Sequence, residues 1–147
     1  MDKGSESMVY TETKGDLFNL PNDFYLCHCI SADFALGKGI AVEFNKRYDM
    51  KRKLKFQYPI NGPFPRVYLI DKVFNLVTKE HYWGKPTYET MNACLIEMRN
   101  QAIKNNVKYL GMPIIGCGLD RLEWTKVSRM IQDVFKDTDI IIKVVIK

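Results

Sequence analysis

No stretch of this sequence approaches the ~20 consecutive apolar residues that span a bilayer. The first seven residues, Met1 to Ser7, are polar and lack the apolar segment of a secretory leader. The chain is therefore expected to have no membrane partner and to stay in the cytoplasm, or also the nucleus in a eukaryotic cell. Repeats and low-complexity tracts are missing too. Cysteine is sparse: Cys27, Cys29, Cys94 and Cys117. Cys27 and Cys29 flank His28 in an apolar run that reads as a strand, so their side chains share a face. No second cluster completes a tetrahedral zinc site, so neither a metal nor another cofactor is expected. Without a secretion signal, and with enough residues for a core, the thiols are expected to be buried and reduced.

What is present fits one domain. The 147 residues and 46% hydrophobic content suit a single globular core, with residues 1–7 as a flexible N-terminus and 8–147 as the domain. The formal net charge of +5 favours an anionic partner. Lys46, Arg47, Lys51, Arg52, Lys53 and Lys55 crowd one segment among Tyr48, Phe56 and Tyr58. A solvated loop is the ordinary meaning of such a run, and nucleic-acid contact is the alternative.

Met8 to Thr13 and Phe24 to Ile30 predict strands, and Ile40 to Phe44 starts a short helix. Asp49 to Pro65, punctuated by Pro59, Asn61-Gly62-Pro63 and Pro65, predicts mostly loop. Arg66 to Ile70 and Val73 to Lys79 predict a hairpin around Asp71-Lys72. Pro86 suits the first turn of a helix, with Lys85 or Gly84 near its cap. The helix follows from Tyr88, Met91, Leu95, Met98 and Ala102, spaced three and four apart, and Asn105-Asn106 ends it. Val107 to Met112 predicts a buried strand. Trp124, Val127, Ile131 and Val134 mark another helix, and Ile140 to Ile146 a last, central or covered strand. Helices between strands imply an α/β fold with helices on both faces of the sheet, and the hairpin makes the sheet mixed.

Two glycine loops, Gly37-Lys38-Gly39 and Gly116-Cys117-Gly118, each follow a strand and precede a helix. Ligands of such folds bind outside the carboxyl ends of strands, where glycine permits close backbone approach and helix N-termini favour phosphate oxygens. Tight turns alone produce the same spelling.

The runs Lys14-Gly15-Asp16-Leu17-Phe18, His28-Cys29-Ile30-Ser31, Gly37-Lys38-Gly39-Ile40-Ala41-Val42, Lys85-Pro86-Thr87-Tyr88-Glu89 and Met112-Pro113-Ile114-Ile115-Gly116-Cys117-Gly118-Leu119-Asp120 occur in this order. Together they resemble the macro domain, in the branch typified by the terminal ADP-ribose protein glycohydrolase. The resemblance extends from Val9 onward and is most specific from Gly111 through Trp124. It implies a three-layer α/β/α sandwich with a mixed central sheet, and a pocket for ADP-ribose.

Carried over by residue, Asp16 matches the acid that receives the adenine amino group, and Leu17 its backbone-donating neighbour. Gly37, Gly39, Ile40 and Ala41 match the first diphosphate loop. Ile115, Gly116, Cys117, Gly118 and Leu119 match the second, and Ser31 lies where the distal ribose is lined. Lys79 matches a lysine that attacks the anomeric carbon, and Asp120 an aspartate that serves the proton transfers and resolves the lysyl adduct. Read without the family, Lys79 is an edge lysine and Asp120 a helix cap. Only a neutral amine can attack.

Branches that hydrolyse through water carry an asparagine pair after the second strand. This chain has His28-Cys29-Ile30-Ser31 there, which favours the lysine route. Cys117 is a rival nucleophile whose glycine neighbours suit phosphate contact better. The expected activity is removal of mono-ADP-ribose from glutamate or aspartate side chains of protein, with deacylation of O-acyl-ADP-ribose in the same pocket. The alternatives are release from ADP-ribosylated nucleic acid, action on ADP-ribose 1″-phosphate, or reading ADP-ribose without turnover. A monomer is expected.

Overall fold

The computed structural model describes residues 8–118 and 121–147. Six strands form one sheet: β1 (Val9–Lys14), β2 (Phe24–Ser31), β3 (Arg66–Ile70), β4 (Val73–Lys79), β5 (Tyr109–Met112) and β6 (Ile141–Ile146). Their spatial order is β1-β6-β5-β2-β4-β3. Every adjacent pair is parallel except β3 with β4, so the sheet is mixed. The hairpin turn falls on Asp71 and Lys72, both at positive φ, as a two-residue turn between twisted strands requires. The last strand is interior, between β1 and β5.

Alternation along the strands divides the core. Cys27, Phe74, Leu76, Leu110, Ile142 and Val144 face α3 (Tyr88–Lys104) and α4 (Trp124–Phe135). Their neighbours Leu26, Ile30, Val73, Val77 and Val145 face α1 (Ile40–Tyr48) and α2 (Met50–Gln57). The result is the α/β/α sandwich. On α3, Met91, Leu95, Met98 and Ala102 are fully buried, as their spacing predicts, and Asn105 caps the end.

One expectation is refined and one corrected. The stretch from Asp49 to Pro65 is irregular only from Tyr58 onward: α2, which the prolines concealed, occupies Met50–Gln57. Its core contribution is only Met50 and Leu54, one helical turn apart and both fully buried. The intervening lysines and arginine are good helix formers, so two apolar contacts suffice to hold the helix. The cap of α3 is Thr87 instead of Lys85 or Gly84. The Thr87 hydroxyl accepts from the Thr90 amide and the Thr87 amide donates to Thr90 Oγ1, each at 3.0 Å, closing a capping box. Pro86 stands just outside it.

His28 is fully buried and stacks on Phe44, with ring centroids 4.0 Å apart. Its Nε2 lies 2.6 Å from Asn75 Oδ1, while Asn75 Nδ2 donates to the carbonyls of Tyr68 and Val73. That arrangement fixes Asn75 Oδ1 as acceptor and His28 Nε2 as the protonated nitrogen of a neutral ring. Burial pushes the imidazole pKa down to about 4, although the Asn75 bond acts in the opposite sense. A depressed histidine contributes stability that is complete above its unfolded value of 6.5 and drains away as pH falls from there to about 4. The expected loss is roughly 3 kcal/mol, read from urea unfolding as a function of pH. In His28→Gln the slope over that window should flatten, and equal slopes in both proteins would refute the assignment. Leu54→Ala should cost about 2–5 kcal/mol by the same measurement. A cost near zero would show that α2 does not depend on its buried turn.

Candidate functional site

Because β1, β6, β5, β2 and β4 run parallel, their carboxyl ends open on one edge of the sheet. Gly15 and Asp16 follow β1, Ala32 to Gly39 follow β2, Glu80 to Thr87 follow β4, and Pro113 to Glu123 follow β5. The two glycine loops belong to the adjacent strands β2 and β5. The edge therefore gathers the expected residues that the structure describes: Asp16, Leu17, Ser31, Gly37, Gly39, Ile40, Ala41, Lys79 and Ile115 to Gly118. Leu119 and Asp120 lie outside the described residues.

Gly15 donates its amide to Ile146, bringing the turn after β1 against the end of β6. Asp16 caps a single 3-10 turn, Leu17–Asn19, by accepting from the Phe18 amide at 2.9 Å. The Leu17 side chain is core. On the first glycine loop, Gly39 precedes α1 with φ 60° and ψ −148°, a conformation reserved for glycine. It supplies no capping side chain, and α1 begins at Ile40 beside exposed Gly37 and Lys38. Upstream, Phe34 and Leu36 are held at positive φ with both side chains buried, so core packing fixes this loop's shape.

The second loop is tied to itself. Leu122 donates its amide to Gly116 O at 2.9 Å, and Cys117 donates to Ile114 O at 3.2 Å. Gly116 has φ 72°, and a Cβ there would stand 2.5 Å from Met91 Cε. The far end of the loop is pinned by the Glu123 amide to Tyr88 Oη and by Trp124 Nε1 to Glu12. The Cys117 thiol points back to the Ile115 carbonyl at 3.2 Å, an arrangement that suits a loop brace and leaves the nucleophile role without support.

On the other side of the first loop from the second, Ser31 and Lys79 are ladder partners at the ends of β2 and β4, just past a register shift at Ile30/Ser31. The Ala32 amide donates to Lys79 O at 2.9 Å. Ser31 is buried and Lys79 half-buried. Asp33 was not singled out by the sequence, where a serine and an aspartate two apart carry little signal. Its Oδ1 accepts from Ser31 Oγ at 2.5 Å and from the Ala35 amide at 3.2 Å, and its Oδ2 accepts from the Tyr82 amide at 2.9 Å. Burial works to raise the Asp33 pKa, but these three donors and nearby His81 outweigh it and hold the carboxyl below the ordinary range. Beyond it, His81 stacks on exposed Trp83 at 4.3 Å.

The basic segment sits elsewhere. Lys46 and Arg47 pair with Glu43, Arg52 with Asp49, and Lys53 with Asp71 in the hairpin turn, at the opposite edge from Lys79. Four of its six cations thus have a carboxylate beside them, which weakens the case for a nucleic-acid surface. A groove of about 400 Å³ lined by Phe18, Phe24, Arg47, Tyr48, Asp71 and Lys72 extends toward that same edge, away from both glycine loops. Among the described residues, no group of three histidine, cysteine or acidic side chains is arranged to hold a metal.

No family model matches the chain. The human ADP-ribose glycohydrolase OARD1 is 41% identical over 145 residues, covering 98% of this chain and 95% of that protein. The macrodomain of Mycobacterium tuberculosis DarG superposes with a TM-score of 0.78 at 21% identity, over 95% of this chain and 97% of the other. Thermosipho africanus DarTG in complex with ADP-ribose gives 0.72 at 19% identity, over 95% of this chain and 42% of that one. The fold is thus shared with known macrodomains, and identity across nearly the full length goes further: the chain belongs to the family of the ADP-ribose glycohydrolase OARD1 and has the macrodomain fold.

Proposed function

We propose that this protein binds ADP-ribose and hydrolyses its ester links to glutamate and aspartate side chains of proteins, with Lys79 as the nucleophile. The observation that carries the reading is the pairing of Lys79 with Ser31 across β2 and β4, on the edge from which both glycine loops extend. The same pocket would deacylate O-acyl-ADP-ribose, which carries its ester on the same distal ribose.

In this reading Asp16 receives the adenine amino group beside the Leu17 backbone. The uncapped start of α1, with Gly37, Gly39, Ile40 and Ala41, binds the diphosphate from one side. Ile115, Gly116, Cys117, Gly118 and Leu119 close on it from the other, and Ser31 lines the distal ribose. Diphosphate binding then orients the anomeric carbon toward Lys79. The neutral Lys79 amine attacks C1″; the C1″–O bond breaks and the carboxylate departs with its electron pair. Asp120 takes the proton released from the new C–N bond. Water next attacks C1″, the C1″–N bond breaks, Asp120 returns its proton to the departing Lys79 nitrogen, and the carboxylate so freed takes a proton from the attacking water and releases it to solvent.

Lys79→Met should lower turnover of glutamate-linked ADP-ribosylated protein by about ten-thousandfold or more. Its ADP-ribose affinity by calorimetry should stay close to wild type, and unchanged turnover would sink the lysine route. Asp120→Ala should accumulate a covalent ADP-ribosyl adduct on Lys79, detected by intact-mass spectrometry. Gly116→Ala should cost about 1–2 kcal/mol of stability, because its φ is left-handed. It should also weaken ADP-ribose binding by about tenfold, or 1.4 kcal/mol. Gly118→Ala is the control for stability, since an added Cβ there meets nothing within 4 Å.

A further inference from the structure

Lys79 and Ser31 end their strands side by side, but strand pairing alone does not hold the segments beyond them. The ladder is already irregular at Ile30/Ser31, and the residues past it belong to two separate loops that lead to different helices. A lysine side chain is placed only as well as the backbone that carries it. Catalysis by attack needs a narrow one, since a displacement of ~1 Å costs on the order of a hundredfold in rate.

The geometry points to Asp33 as a positioning residue that sets Lys79 against the distal-ribose site by locking the segment after β2 to the segment after β4. This rests on the proposed nucleophilic role of Lys79. One carboxylate joins the two segments: Oδ1 receives Ser31 Oγ and the Ala35 amide, and Oδ2 receives the Tyr82 amide. Tyr82 is three residues beyond Lys79, and Asp33 two beyond Ser31. With the Ala32 amide on Lys79 O, two hydrogen bonds tie the segments across the gap just past Ser31 and Lys79. The lock has a second effect. Ser31 spends its single hydroxyl proton on Asp33, so toward the pocket its oxygen can only accept, which suits a ribose hydroxyl as donor. Hydrogen bonds to an ionised acceptor are the stronger kind, so a carboxylate serves here better than an amide.

The test is steady-state kinetics on glutamate-linked ADP-ribosylated protein, with ADP-ribose calorimetry and amide hydrogen exchange, for Asp33→Ala, Asp33→Asn and Lys79→Met. Asp33→Ala should lose about a hundredfold in kcat. KM and ADP-ribose affinity should stay within about threefold of wild type, and exchange at the Tyr82 amide should accelerate. Asp33→Asn keeps one carbonyl acceptor and should fall between the two. Wild-type kcat in both Asp33 variants overturns the proposal. So does a loss in which kcat, ADP-ribose affinity and thermal midpoint fall together in Asp33→Asn, since that marks a purely structural role. Full activity in Lys79→Met, by contrast, removes the nucleophile reading itself, whatever the Asp33 variants do.

Discussion

In a parallel ladder, neighbouring strands deliver their carboxyl ends to the same edge, and the loops that extend from them are forced to be neighbours too. Here β2 lies between β5 and β4 and runs parallel to both. That single alignment sets the two glycine loops side by side and puts Ser31 next to Lys79. It depends in turn on packing from both faces: α3 and α4 press on one side through Met91, Leu95 and Ile131, while α1 and α2 press on the other through Phe44, Met50 and Leu54. A strand slipped by one residue would turn His28 into the opposite core and carry Ser31 away from its partner.

The division of labour between rigid and adaptable parts follows from the same packing. The loop after β2 is unusual in that Phe34 and Leu36 adopt left-handed backbone conformations that bulky residues avoid. Their burial offsets that strain and leaves the following glycines exposed with a defined direction of approach. The loop after β5 solves the same problem differently, by folding its own amides back on Gly116 O and Ile114 O. One loop is shaped by side chains in the core, the other by its own backbone.

Much of this was legible in the residues. Spacing alone located α3 and α4, the hairpin turn at Asp71-Lys72 and the interior last strand, because each buries a face whose period is written in the chain. Helix α2 was obscured because its buried apolar content is two residues among cations, and the prolines that follow argued for loop. The Thr87 cap was hidden by Pro86, whose preference for a first turn pointed two or three residues too early. The order of strands in the sheet was not readable, since nothing local says that β2 pairs with β4 and β5. Lys79 and Ser31 are 48 positions apart in sequence, and only that pairing makes them neighbours. Asp33 escaped for the same reason: two of its three donors are local, but the one that gives it meaning, the Tyr82 amide, comes from another strand's loop.

The chain has two tryptophans, and the fold puts them on the segments after β4 and β5. Trp83 is largely exposed, four residues past Lys79 and stacked on His81. Trp124 opens α4 at the end of the second glycine loop, with its indole nitrogen bonded to Glu12. Both chromophores thus flank the crevice, in unlike surroundings: one ring meets solvent and a titratable neighbour, the other is anchored to a carboxylate. The intrinsic fluorescence of the protein is in effect a two-channel signal, in which movement of the β4 side and of the β5 side can be separated by removing one indole at a time.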